Sequence, residues 1–308
     1  MKYSRVKRAL EVEGKSEMEL CLRLTRIIHS DTEFYVSVSM ACKTIARLCH
    51  GTPSDDSNKQ APTPVVSSVH PLCMVGNDDS GNKLISLLED CGSVCRNVDI
   101  RVIQNRRTTK SGLRTALSVL PIYLDGRRGC FFDAASNVTF SADQMIEMFS
   151  ELASPSNYTS PVYGSMLFGY PHLLPMMQGE SLAFIFSQAR KIMIDSGIVA
   201  LDLNGVPETR FKMSGGLRSR SDLRNDRIIG AALEHVDILH MNEDELVLLT
   251  GCRILGTNAS REEDEFSIAK AVDLFLECGV AIVAVTRGKI GSYVACNNAE
   301  RFQRTPML

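Results

Sequence analysis

Apolar residues in the C-terminal half come in short bursts separated by longer amphipathic stretches, and this rhythm predicts the architecture. Largely apolar runs at 162–168, 198–203, 236–241 and 281–286 read as strands. Between them, 182–195 and 268–277 carry apolar residues at helical spacing, with Gly197 and Gly279 placed to end the helices. The 236–241 run stops at Asn242-Glu243-Asp244-Glu245. There the Asn242 side chain can cap a helix, and Glu245 can fold back onto the cap backbone. Leu246 and Leu249 then share a buried face, and Gly251 can take the left-handed conformation that closes the helix. Strands recurring with helices between them predict right-handed βαβ units and an α/β fold with a mostly parallel sheet.

The N-terminal half is less regular. Residues 1–30 read as a charged helix through Leu10, Met18, Leu20, Leu22, Leu24, Ile27 and Ile28, and 38–49 as a second helix. The Ser, Asp, Asn and Pro of 51–64 predict a mobile loop. Residues 65–75 alternate between strand and turn signals and lead into Gly76-Asn77-Asp78-Asp79-Ser80-Gly81. A helix over 82–90 follows, with Leu84, Leu87 and Leu88 on one face and Gly92 beyond its end. Residues 115–124 and 129–132 flank Asp125-Gly126 as a hairpin, and Ser141 to Gln144 is a capping box opening a further helix.

In an open parallel sheet, ligands bind outside the carboxyl ends of the strands. The residues expected at those ends are Gly169, Asp202 with Asn204, Asn242 with Glu245, and Thr286 with Gly288. Loops are polar in general, so any one of these says little. Four consecutive strand ends bearing small or polar groups say more.

Composition narrows the function classes. Lys plus Arg number 34 against 36 Asp plus Glu, a formal charge of −2, so no bulk basic excess suggests a nucleic-acid partner. No apolar run reaches the roughly 18 residues that span a bilayer, and no signal-peptide core is present, so no membrane partner is expected. The ten cysteines form no CxxC pair, which reads as reduced thiols in a cytoplasmic protein. GxGxxG and GxSxG are absent, and the six histidines show no metal-ligand spacing. Of two near-misses to a phosphate-binding P-loop, 76–81 continues Asn82-Lys83, with Asp78 and Asp79 placed to repel phosphate, and 251–256 is followed by Thr257 with no lysine. Both read as turns.

Several segments resemble the PfkB family of carbohydrate kinases, which have the ribokinase-like fold. Residues 235–251 are similar to the family's strand followed by NxxE. Val283 to Ser292 resembles its "vvvTlGkeGa" segment, Val75 to Gly81 its "vGdDefG" turn, and Leu201 to Asn204 its "lDpN". The matches run in family order from about residue 38 to 296.

The resemblance implies transfer of the γ-phosphoryl group of ATP to a hydroxyl of a small polyol or nucleoside-like substrate, with magnesium. By position, Asn242 and Glu245 would support the metal and phosphates. Thr286, Gly288 and Gly291 would line the nucleotide pocket, with Asp202 and Asn204 at the site's edge. The expected organisation is an atypical N-terminal segment, 1–37, then a ribokinase-like domain, 38–308. A β lid over 113–133 would be the expected surface for a homodimer. The family's Gly-Ala-Gly-Asp turn, whose Asp is the base for the acceptor hydroxyl, occurs nowhere in the 308 residues, and Tyr35 to Met40 stands where a Gly-Gly substrate turn is expected. No residue is therefore assigned as catalytic. The expectation is a truncated or altered kinase chain with little or no phosphotransfer, or a non-catalytic nucleotide-binding relative.

Overall fold

Alternation of buried and half-exposed positions along four parallel strands organises the C-terminal part of the molecule. The structure is a computed structural model, and it describes residues 68–94, 99–100, 103–104, 113–119, 121, 131–153, 163–205, 217–254 and 261–297. The helices expected over 1–30 and 38–49, the loop 51–64, the Asp125-Gly126 turn and the boundary at 37/38 lie outside these residues. The chain divides into two compact units, Met1–Ser136 and Asn137–Leu308. Among the described residues no helix is long and apolar enough to cross a membrane.

The second unit holds a five-stranded sheet. Its strands are β7 (Tyr163–Gly169), β8 (Met193–Asp202), β9 (Ile238–Asn242), β10 (Ile282–Thr286) and β11 (Ser292–Cys296), in the order β11-β10-β9-β8-β7. Neighbours from β7 to β10 pair in parallel, and β11 returns antiparallel on β10. Phe168, Val199, Leu201, Leu239, Met241, Val283 and Val285 are all buried. The alternate residues Ala200, Asp202, Ile238, His240, Ile282 and Ala284 are half-buried, the period-2 signature of a pleated strand.

Helices complete the core. The helices of this unit are α2 (Ala142–Leu152), α3 (Glu180–Ile192), α4 (Arg220–Arg224), α5 (Glu243–Thr250) and α6 (Arg261–Glu277). From α3, Leu182, Ile185, Phe186 and Ala189 are buried, and the Phe186 ring meets Phe168 edge-on, centroids 5.6 Å apart. Helix α6 buries Ile268, Ala271, Val272 and Phe275 at i, i+3, i+4, i+7 spacing. At the amino edge, Arg190 of α3 donates to the carbonyls of Gly197 and His235 and to the buried carboxylate of Asp237, which also accepts the Val199 amide at 2.7 Å. One guanidinium thus ties the start of the sheet to its covering helix, and its hydrogen bonds offset the burial of Asp237.

Several boundaries depart from the sequence reading. Helix α3 ends at Ile192 and β8 begins at once with Met193, so Gly197 does not end the helix. It lies inside β8, where an added Cβ would fall 2.8 Å from Met193 Cε and 2.9 Å from the Ile194 carbonyl oxygen. Gly279 does follow its helix in a left-handed conformation, φ +109°. Helix α6 starts at Arg261, seven residues before the apolar pattern expected at 268. Helix α4 and strand β11 were not foreseen.

In the first unit, two parallel pairs join β1 (Ser68–Val69) to β3 (Asp99–Ile100) and β2 (Leu72–Cys73) to β4 (Ile103–Gln104). Helix α1 spans Asp79–Val94, so it starts three residues before the expected 82 and runs through Gly92. Of the expected hairpin, the described residues show β5 (Leu117–Val119) paired antiparallel with β6 (Phe131–Asp133).

Candidate functional site

Register places the polar strand ends together. Gly169 of β7 pairs with Asp202 of β8, Asp202 with His240 of β9, and Asn242 with Thr286 of β10. The four strand ends singled out in the sequence therefore line one carboxyl edge of the second unit, in the order of the sheet.

The strand-to-helix corner at Asn242 is built as its residue types dictate. The Glu245 amide donates to Asn242 Oδ1 and the Asn242 amide to Glu245 Oε2, both at 2.8 Å, closing a reciprocal capping box. Leu246 and Leu249 are buried, and Gly251 ends the helix at φ +70° with its amide on the Val247 carbonyl. Glu245 is only 4 % exposed. Burial raises its pKa above the ordinary carboxylate value, the amides of Asn242 and Gly205 oppose that rise, and the nearby Asp202 carboxylate adds to it.

Asp202 Oδ1 lies 2.8 Å from Nδ1 of His240, a residue the sequence reading did not single out. As hydrogen-bond partner the Asp202 carboxylate raises the His240 pKa above its ordinary value; burial works against this, and the charges of Asp202 and Glu245 favour it. The signal was in the strand pattern, since His240 shares a face with Asn242 and is polar where Ile238 is apolar. Beside it, Asn204 is exposed, adopts a left-handed φ of +40° and donates from its side-chain amide to the Tyr170 hydroxyl. Tyr170 is itself left-handed, φ +59° and ψ +48°, with its amide on the Asp202 carbonyl. Two non-glycine residues in this region, at the ends of adjacent strands, mark a backbone held by its surroundings.

On the other side, Thr286 is exposed, with its hydroxyl 3.5 Å from the Met241 carbonyl oxygen. Gly288 (φ +55°) and Gly291 (φ +110°) shape the following turn and meet nothing within 4 Å of an added Cβ, so they leave open space above the strand end. Between them and Thr286 sits Arg287, also missed in the sequence. It is 8 % exposed and donates from Nε to Glu243 Oε2 at 2.9 Å.

The Gly76–Gly81 turn belongs to the first unit and is a structural turn, as expected. Asp78 accepts from the Thr115 amide and hydroxyl and from the Gly81 amide, while Thr115 Oγ1 accepts from the Gly76 amide. An added Cβ on Gly76 would fall 2.3 Å from the Leu113 carbonyl oxygen, which accounts for a glycine there.

Among the described residues no three His, Cys, Asp or Glu side chains converge to hold a metal ion. A dehydrated ion in a protein cage is therefore not what these residues fit. Magnesium, which keeps most of its waters and takes one or two carboxylates together with phosphate oxygens, does fit them. The Asp202 charge disfavours ionisation of Glu245, and a hydrated cation at the edge would relieve that repulsion.

No family model and no curated protein sequence matches the chain. Solved structures do. Ribokinase from Giardia lamblia superposes with a TM-score of 0.51 at 13% identity, over 85% of this chain and 62% of that one. Fructokinase from Xylella fastidiosa gives 0.50 at 16%, over 85% and 66%. A third protein, Sa239, gives 0.51 at 17%, over 85% and 63%. The chain has the ribokinase-like fold. It spans somewhat less than two thirds of these structures' own length, and the parallel sheet flanked by helices is what they have in common with it.

Proposed function

We propose that this protein is a PfkB-type carbohydrate kinase relative whose sheet edge holds a magnesium nucleotide, ATP, for phosphoryl transfer to a hydroxyl of a sugar or nucleoside-like molecule. The observation that carries this reading is the Asn242–Glu245 capping box at the end of β9, with Thr286 paired beside Asn242 and Asp202 next in line. The likeness to a ribokinase and a fructokinase supports the substrate class.

The roles follow from the chemistry of the groups. Helix α5 begins at the edge with Glu243, Asp244 and Glu245 in its first turn. The positive end of its dipole favours an anion, but three carboxylates oppose a bare phosphate. The edge therefore suits phosphate that arrives neutralised by a divalent cation, which supplies the compensating charge. Glu245 and Asp202 would face the hydrated metal, and Asn242 holds Glu245 in place through the cap. Thr286 would offer its hydroxyl to the polyphosphate, and the open turn at Gly288 and Gly291 leaves room for backbone to approach the nucleotide.

Transfer needs a further element, a base to take the acceptor's hydroxyl proton. No Gly-Ala-Gly-Asp turn occurs in the 308 residues, and no described residue takes that role in this reading. The 308-residue chain accordingly binds MgATP with little or no turnover. Calorimetric titration tests this: MgATP binds, ATP with excess EDTA binds at least about tenfold more weakly, and Glu245→Ala removes the magnesium-dependent difference. Absence of MgATP binding at millimolar nucleotide overturns the reading. Sugar-dependent ATP turnover that Glu245→Ala abolishes overturns the low-turnover part alone.

A further inference from the structure

Arg287 is the one buried cation at the edge among the described residues that the reading above leaves unused, and its surroundings are specific. It directly follows Thr286, its amide donates to the Gly291 carbonyl at 2.8 Å, and its carbonyl accepts from the Ile290 amide at 3.1 Å. Its backbone therefore closes the turn that carries Gly288. Its side chain runs the other way, into the first turn of α5. There Nε donates to Glu243 Oε2 at 2.9 Å, and Nη2 lies 3.9 Å from Asp264 Oδ2 of α6. The guanidinium side chain is 6 % exposed, while that of Glu243 is 25 % exposed.

This juxtaposition has an electrostatic consequence. Glu243 follows Asn242 in sequence, so its carboxylate sits at the same helix start as the proposed phosphate and metal support. An unpaired carboxylate there, alongside Asp244 and Glu245, would repel a polyphosphate over several ångströms of partly desolvated surface. A buried Arg in this place is costly unless its partners matter, because apolar residues of similar size fill such positions at least as stably.

We propose that Arg287 is a positioning residue that masks Glu243, so that the acidic start of α5 admits a nucleotide polyphosphate while the same residue's backbone fixes the Thr286–Gly291 turn against it. The proposal rests on the reading that this edge takes MgATP, and it adds the device that reconciles three first-turn acids with an anionic ligand. It differs from a purely mechanical ion pair in one respect. A mechanical pair is broken equally by removing either partner, whereas a mask is needed only while the charge it covers is present.

The experiment measures MgATP affinity of the full chain by calorimetry for wild type, Arg287→Met, Glu243→Gln and the double variant, with far-ultraviolet circular dichroism and thermal unfolding as checks on the fold. Masking predicts that Arg287→Met weakens MgATP roughly tenfold, as for loss of the partner of a partly buried charge. It predicts that Glu243→Gln binds at least as tightly as wild type, and that the double variant recovers most of the loss. If Arg287→Met does not fold, Glu243→Gln decides by itself. Weakening of MgATP by Glu243→Gln to the same extent as by Arg287→Met, or with no recovery in the double variant, overturns the proposal. Failure of the wild type to bind MgATP instead overturns the underlying reading, and masking with it.

Discussion

Glu245 illustrates the conflict between stability and binding at the scale of one residue. Its carboxyl is buried and its pKa raised, chiefly by desolvation, so the folded state holds a proton more readily than the unfolded chain. The sign follows. Below the ordinary carboxylate pKa both states are protonated and ionisation costs nothing. As pH rises through the window between the unfolded and the folded values, ionising Glu245 lowers stability, and the loss persists at neutral pH. Glu245→Gln keeps an acceptor for the Asn242 amide and removes the charge. Its melting temperature at pH 7 is therefore expected to equal or exceed that of wild type, while MgATP affinity falls at least about tenfold, about 1.4 kcal/mol. Thermal scans with and without MgATP check both halves; a less stable variant that keeps its nucleotide affinity contradicts the assignment. Asn242 and Glu245 were legible in the sequence because a capping box is a local pattern. Arg287 was not, and His240 was legible only as a polar position on the strand face, without its role. Their roles depend on Asp202 and on Glu243, which are near them only once strands pair and α5 turns over the edge.

At the scale of elements, caps and turns carry the clearest energetics. Ser141 caps α2 with a complete box, the Ser141 amide on Gln144 Oε1 at 2.8 Å and the Gln144 amide on Ser141 Oγ at 3.4 Å. Ser141→Ala is expected to cost about 1 kcal/mol in urea unfolding. In the first unit, burial tends to raise the Asp78 pKa, but hydrogen bonds from the Thr115 hydroxyl and amide and from the Gly81 amide, with the charge of Arg114, hold it below the ordinary value. A lowered carboxylate pKa contributes stability that is present above the unfolded value and is lost as pH falls through the folded one. Asp78→Asn is therefore expected to destabilise the turn at pH 7 and to differ little from wild type in acid below that window, as read by hydrogen exchange of the Gly76 and Thr115 amides at several pH values. The same scale shows where sequence patterns fail. Ile192 and Met193 are both apolar, so nothing in the periodicity separates the end of α3 from the start of β8. Strand β11 alternates exposed and half-buried residues, with Ser292, Val294 and Cys296 all exposed, and its short Tyr293-Val294-Ala295-Cys296 run lacks the apolar/polar alternation that would reveal its exposed face.

At the scale of the whole molecule, the α/β class and the mostly parallel sheet follow from largely apolar bursts at regular intervals. The buried set Leu201, Leu239, Met241, Val283 and Val285 is what those bursts supply. Leu239→Ala at the middle of this set is expected to cost about 2–5 kcal/mol, measured by denaturant unfolding. Polar strand ends were also legible as a group, because in a parallel sheet they fall on one edge whatever the helices do. Hydrogen–deuterium exchange of the full chain with and without MgATP shows whether that edge takes nucleotide. Slower exchange is expected at 242–245 and 286–291, lost in Glu245→Ala. Unchanged exchange in both segments at saturating MgATP, or protection confined to other segments, contradicts nucleotide binding there.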